Sequence, residues 1–146
     1  MRSDRRTFLG TALAAAAGAA LSPWRLLAST RTRLILLGTR GGPRVNEPGR
    51  RNASTLLLIG GVPYVVDCGY GTSRQLLAAG VPLETLRHVF ITHHHSDHNL
   101  EHGTLVYNAW ASGLATRVDL WGPPGLRAMT GAFLESMRFD IETRIA

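Results

Sequence analysis

Lysine is absent: all sixteen basic residues of this 146-residue chain are arginines. A single cysteine, Cys68, excludes an internal disulfide and leaves the redox compartment open. No run of about eighteen apolar residues occurs, so no stable membrane span of the helical kind is expected. Charged residues are only 18% of the chain and aromatics 7%. The net charge of +6 is spread thinly. Arg2, Arg5, Arg6 and Arg25 face only Asp4 before residue 30, and twelve arginines face nine acids after it. With no dense basic patch and no aromatic interleaving, the charge pattern does not favour nucleic acid as a partner. Histidine is missing after His102, and Asp119 and Asp140 are the only aspartates beyond that point. What is present is a globular composition, 45% hydrophobic, long enough for one domain with a real core.

The first thirty residues read as an address. Paired Arg5-Arg6 precede Phe8-Leu9 and a weakly apolar Ala/Gly stretch reaching Leu21. A charged start, a short apolar middle and small residues near its end describe a signal peptide. The paired arginines resemble the twin-arginine export signal of bacteria, which implies a periplasmic or secreted protein. Cleavage is expected between Ala19 and Thr30. Residues 1–30 are therefore set apart from a domain at 31–146.

Short apolar runs alternate with turn residues through that domain. Strands are expected at Arg33–Gly38, Ser54–Ile59 and Val62–Val66, the last two joined by a Gly60-Gly61 hairpin turn. Residues 72–79 have helical spacing and stop at Gly80. A strand is expected over 86–92, a helix over 103–112, a strand over 117–121, and a helix over 125–137 with proline in its first turn. Hairpins first and strand–helix alternation afterwards predict a mixed sheet with flanking helices, an α/β (α+β) class.

All six histidines lie between His88 and His102. Within that window His93, His95, Asp97 and His98 form H-x-H-x-D-H directly after the strand. His93 and His95, two apart, are placed to share one cation, and Asp97 and His98 to reach a second. Imidazole and carboxylate donors suit Zn2+, and Mn2+ or Fe accept the same ligand types. Two such cations hold a hydroxide between them and clamp the oxygens of a displacement. Asp97 is then the catalytic candidate, as metal ligand and as acceptor for that hydroxide. His94 is expected to point away or line the pocket, and His88 and His102 to be surface or supporting residues.

This spacing is similar to the metal motif of the metallo-β-lactamase superfamily. The segment 67–76 (DCGYGTSRQL) resembles the D-C-G-x-G-T-x-x-Q stretch of its ribonuclease Z branch, and LILLGTRGGP with RRNAS does likewise, so the likeness runs from about Leu34 to Trp121. The resemblance implies that Asp67 sits behind the metal site and steadies the histidine loop. Cys68 is expected to be a small buried residue. The implied fold is the αβ/βα sandwich of that superfamily, of which this chain would be the N-terminal half. The implied function is metal-dependent hydrolysis of a phosphodiester or aryl sulfate ester. A lactonase or β-lactamase activity is the alternative, or an inactive metal-binding fragment.

Two features depart from the pattern. The superfamily site takes a further histidine, a bridging aspartate and a last histidine from far downstream, and none is here. A half-sandwich leaves one sheet face or edge uncovered. The expectation is a partial domain, with a homodimer as one way to complete it. Export disfavours tRNA as substrate and favours a small-molecule ester.

Overall fold

A computed structural model describes residues 31–145. The signal-peptide expectation for residues 1–30 lies outside the described residues.

Strand β1 (Arg33–Gly38) pairs antiparallel with β2 (Ser54–Ile59), and β2 with β3 (Val62–Val66). Gly60 and Gly61 close the β2–β3 hairpin with φ of 57° and 84°. Positive φ at both turn residues matches the twist of the flanking strands, and glycine adopts it without steric cost. Helix α1 (Thr72–Ala78) and a 3-10 turn (Leu83–Thr85) then carry the chain to β4 (His88–Phe90), which lies parallel to β3. The short helix α2 (Ser96–Asn99) and α3 (His102–Ala111) lead to β5 (Asp119–Trp121), parallel to β4. Helices α4 (Leu126–Ser136) and α5 (Arg138–Ile145) complete the described chain. The sheet order is β1-β2-β3-β4-β5, a mixed sheet with flanking helices as the sequence predicts.

Alternation along the strands divides the sheet into two unlike faces. One face presents Leu56, Leu58, Val65 and Val89, all buried in one cluster with Leu76 of α1, Leu83 and Leu86, and Leu105 and Ala109 of α3. The other face carries Leu34, Leu36, Ile59 and Trp121, which are 63%, 62%, 45% and 45% exposed. Register places Leu34 opposite Leu57, Leu57 opposite Tyr64, Tyr64 opposite His88 and Phe90 opposite Trp121 on this face. Tyr64 stacks on His88 at 4.6 Å and Phe90 on Trp121 at 4.8 Å between ring centroids. The uncovered face expected of half a sandwich is therefore an apolar, partly aromatic surface.

The structure corrects several boundaries. Strand β4 is three residues long rather than the seven expected over 86–92. At its start the Leu86 amide is taken by Leu83 O, closing the 3-10 turn, and at its end the Thr92 amide is taken by the Asp67 side chain. Strand β5 begins at Asp119, where pairing with His88 starts. The expected helix over 125–137 breaks after Ser136, and α5 resumes at Arg138. Pro123 and Pro124 precede that helix rather than occupying its first turn, since its cap is Gly125 at φ 102°. Helix α2, one turn inside the histidine motif, has no periodic signature in the sequence. It exists because His95 O accepts from both His98 N (2.9 Å) and Asn99 N (3.2 Å).

Candidate metal centre

The parallel β3–β4 pair aims two chain ends at one place. Past Val66, the Asp67 amide still donates to Phe90 O (2.7 Å), and the chain then turns sharply. Asp67 has φ 63°, the one non-glycine residue in the left-handed region among the described residues. Aspartate tolerates that region better than most residues, and such outliers persist where surrounding contacts hold them. Here they do. Asp67 Oδ1 accepts from the Thr92 amide (2.8 Å) and the Thr92 hydroxyl (2.9 Å), and His98 Nδ1 lies 2.7 Å from Asp67 Oδ2.

This carboxylate sets the tautomers of two rings. A carboxylate only accepts, so His98 Nδ1 carries a proton and Nε2 is the ring nitrogen turned away from Asp67. The Thr92 hydroxyl gives its proton to Asp67 and therefore accepts from His93 Nδ1, 3.0 Å away. His93 Nε2 is likewise the ring nitrogen turned away from that bond. The His93 and His98 rings stand 4.1 Å apart between centroids, and the His93 and His95 rings 4.7 Å apart edge-on. His98 Nε2 is 3.6 Å from Asp97 Oδ2, so this pair is close enough to face one cation.

Asp97 is buried and held from the far side of the site. The Gly42 amide, 55 positions earlier, donates to its Oδ2 at 2.6 Å. Burial pushes the Asp97 carboxyl up. The Gly42 and local backbone amides and the neighbouring His98 and His95 outweigh it and hold the group below its ordinary value of 3.8. Gly42, Pro43, His95, Ser96 and Asp97 line an open pocket of ≈ 340 Å³. An apolar groove of ≈ 450 Å³ lined by residues of α3, β5, α4 and α5 shares no residue with the histidine motif.

The four predicted ligands are brought together, with Asp67 behind them. Their chemistry suits a zinc-type cation, but their number falls short. Among the described residues no group of three or more His, Cys, Asp or Glu side chains is arranged to hold a metal ion. Two donors per cation do not make a closed site.

The remaining histidines do other work. His94 Nε2 donates to Pro124 O (3.0 Å) while Nδ1 accepts from Asn99 Nδ2 (3.3 Å), pinning the loop before α4 to the motif. His102 is buried, with Nδ1 bonded to Asn99 O (2.7 Å) and Nε2 3.2 Å from Thr130 Oγ1. It is a supporting residue and not a surface one. His88 lies on the open sheet face, 4.0 Å from Asp119. Cys68 is fully buried and free, as expected. Burial, then the charges of Glu101 and Asp67, push its thiol far up, which disfavours a thiolate ligand. Gly42 was not legible as a site residue, because its contact spans 55 positions and uses only backbone.

The chain is similar to ribonuclease Z of Mycobacterium marinum, 37% identical over 116 residues that span 77% of this chain and 41% of that protein. Ribonuclease Z of Mycobacterium avium matches at the same identity and coverage. Among solved structures, human tRNase Z, short form, superposes with a TM-score of 0.63 at 26% identity, over 75% of this chain and 40% of that one. The metallo-beta-lactamase fold protein YhfI from Bacillus subtilis gives 0.55 at 25% identity, over 62% and 36%. The chain thus spans well under half the length of these relatives.

These relatives overturn the expectations about partners. Composition is expected to disfavour nucleic acid, and an expected export signal to favour a small-molecule ester; the relatives are a ribonuclease Z and a tRNase Z. Dividing the charge at residue 30 does not show how it is placed within the domain. The loop between β1 and β2 carries Arg40, Arg44, Arg50 and Arg51 against Glu47 alone, on the segment whose Gly42 amide holds Asp97. The profile of the metallo-beta-lactamase superfamily matches residues 48–134, and the chain belongs to that superfamily.

Proposed function

We propose that this chain provides one half of a dinuclear zinc centre that hydrolyses a phosphodiester bond of RNA. The observation that carries the reading is the Asp67 carboxylate fixing His98 directly and His93 through Thr92, so that both rings keep Nε2 free beside His95 and Asp97. In this reading His93 and His95 serve one cation, Asp97 and His98 the other, and further donors come from protein outside residues 31–145. When bound, such cations lower the pKa of water and neutralise charge on the phosphate oxygens. Mn2+ or Fe in place of zinc would be compatible with the same donor types.

The chain's own groups prepare that chemistry. The Gly42 amide keeps Asp97 ionised and fixes its Oδ2, so Oδ1 is the oxygen left to accept a proton or a hydrogen bond. Asp67 holds the Nδ1 side of both rings, directly for His98 and through Thr92 for His93, so each ring is oriented with Nε2 as the atom offered to a cation. Likeness to ribonuclease Z supports an RNA phosphodiester as the bond cleaved. Residues 1–30 are proposed as the twin-arginine address, which would place the RNA met by this protein outside the cytoplasm.

The test is cleavage of a 3′-extended structured RNA, an unstructured RNA and an aryl sulfate ester, with zinc, by the protein as its gene encodes it. Cleavage of RNA that is lost in Asp97→Ala and His95→Ala variants with unchanged melting temperature supports the reading. Hydrolysis of the sulfate ester without cleavage of either RNA, or RNA cleavage undiminished in both variants, overturns it. Retention in the cytoplasm of wild-type protein, at the level of an Arg5→Lys/Arg6→Lys variant, would remove the export part alone.

A further inference from the structure

Glu101 stands where the histidine motif passes into α3, and both of its carboxylate oxygens are used. Oε2 accepts from the Gly71 amide, and Oε1 accepts from the Ser73 amide at 2.7 Å. Gly71 and Ser73 are buried at the start of α1, whose cap residue Gly71 has no side chain to satisfy those amides. Orphan amides at a helix start need a partner when water is excluded. Here the partner comes from 28 to 30 positions downstream.

The backbone adds two more ties between the same segments. The Glu101 amide donates to Cys68 O (2.8 Å), and the Cys68 amide donates to His98 O (2.6 Å). Gly69 lies so close to the Asp97 carbonyl that no Cβ fits between them. Asp67 crosses the gap in the opposite direction, from the turn to Thr92 and His98. Two carboxylates thus reach past each other: Asp67 of the turn holds the motif, and Glu101 of the motif holds the turn.

We propose that Glu101 is a positioning residue for the proposed metal centre. It fixes the turn that carries Asp67, and through Asp67 the direction of His98 and His93. A glutamate is required because the carboxylate must span two amides at once, with charge-assisted bonds to each. Glutamine offers one acceptor oxygen and puts an NH2 against the other amide. Aspartate keeps the charge and loses the reach. This inference rests on the metal reading above for its purpose, but its geometric content does not need a metal.

The experiment uses the 146-residue chain with Glu101→Gln, Glu101→Asp and, as a stability control, Val81→Ala, which removes buried volume away from the clamp. Exchange of the His98 Nδ1 proton is measured by nitrogen-15 NMR without metal, and zinc affinity by competition with a chelator. Both Glu101 variants are expected to speed that exchange at least about tenfold and weaken zinc by about 10–100-fold. Val81→Ala is expected to leave both within about twofold at a comparable melting temperature. Should Glu101→Gln fail to fold, Glu101→Asp alone decides. Unchanged exchange in the Glu101 variants, or equal changes in Val81→Ala, overturns the proposal. If the wild-type chain takes up no zinc, the exchange measurement alone decides the clamp, and the metal reading is decided by the cleavage test above.

Discussion

His98 Nδ1 and Asp67 Oδ2 lie 2.7 Å apart beyond the C-terminal ends of the parallel strands β3 and β4, and that pair joins the turn after one strand to the loop after the other. Because Asp67 also takes the amide and hydroxyl of Thr92, one carboxylate terminates the β4 ladder, fixes a loop and sets two imidazoles. Fold and site share these bonds.

Replacing Asp67 separates the two roles. Asp67→Asn keeps a residue that tolerates φ 63°, but its one carbonyl oxygen can serve Thr92 or His98 and its NH2 cannot accept from the other. Zinc affinity of the complete protein is expected to fall about 10–100-fold, read by chelator competition, with circular dichroism unchanged. Asp67→Ala loses the acceptors and also strains the backbone, so its melting temperature should fall below that of Asp67→Asn. Equal zinc affinity in wild type and both variants would remove Asp67 from the site.

Thr92→Val isolates the relay to His93. Valine keeps the β-branched shape and deletes the hydroxyl that lies between Asp67 and His93 Nδ1. The His93 ring is then free to place its proton on Nε2, where a cation would bind. Nitrogen-15 shifts of labelled histidine should show His93 moving toward the Nε2–H tautomer while His98 stays as it is. Zinc binding should weaken by about tenfold, the lower end of the range for supporting residues. A His93 tautomer identical to wild type would sink the relay.

Local signals explain what was legible in the sequence. The Gly60-Gly61 turn and the short apolar runs of β2 and β3 give strands with the observed ends, because turn chemistry and strand propensity act within a few residues. The motif His93 to His98 was readable as a candidate cation site because the spacing itself places the donor side chains near one another. What stayed hidden depends on distant partners. Strand β4 looks long in sequence because residues 86–92 suit a strand, yet Asp67 and Leu83 claim its end amides. Gly42 is one glycine in a polar loop until Asp97 is packed against it. Glu101 follows the motif closely, and a carboxylate there was a signal that could have been read. Charge misled, because dividing it at residue 30 left unseen that Arg40, Arg44, Arg50 and Arg51 share one loop with Glu47 alone.

The uncovered sheet face makes a prediction about the chain alone. Leu34 and Leu36 sit on edge strand β1 and are 63% and 62% exposed, so lysine at either position costs little burial. Together they interrupt an apolar surface that reaches Trp121 on the other edge. The double variant Leu34→Lys/Leu36→Lys is expected to raise solubility and to reduce binding of a hydrophobic dye at least about twofold. Its melting temperature should stay within a few degrees of wild type. A large loss of stability would mean that these side chains are packed in the folded chain, and the face would not be open.

Gly69 tests how tightly the turn and the motif are pressed together. A methyl group there would run into the Asp97 carbonyl and the Asn52 Cβ, neither of which is the far end of a flexible side chain. Asn52 is itself fixed: its amide donates to Tyr70 O at 3.3 Å and its side chain to Gly42 O at 2.8 Å. The methyl can be accommodated only by moving the 67–71 turn away from the motif, which breaks the bond from the Cys68 amide to His98 O and pulls Asp67 off His98. Gly69→Ala is therefore expected to destabilise by about 1–3 kcal/mol, as overpacking does. It should also speed exchange of the His98 Nδ1 proton, which an equally destabilising core variant would not do. Gly42→Ala meets nothing at its Cβ but carries φ 82°, so it should cost less stability and act through its bonds to Asp97 and Asn52. A Gly69→Ala protein with wild-type melting and wild-type exchange would mean that the turn has slack, and the close coupling of Asp67 to the histidines would have to be abandoned.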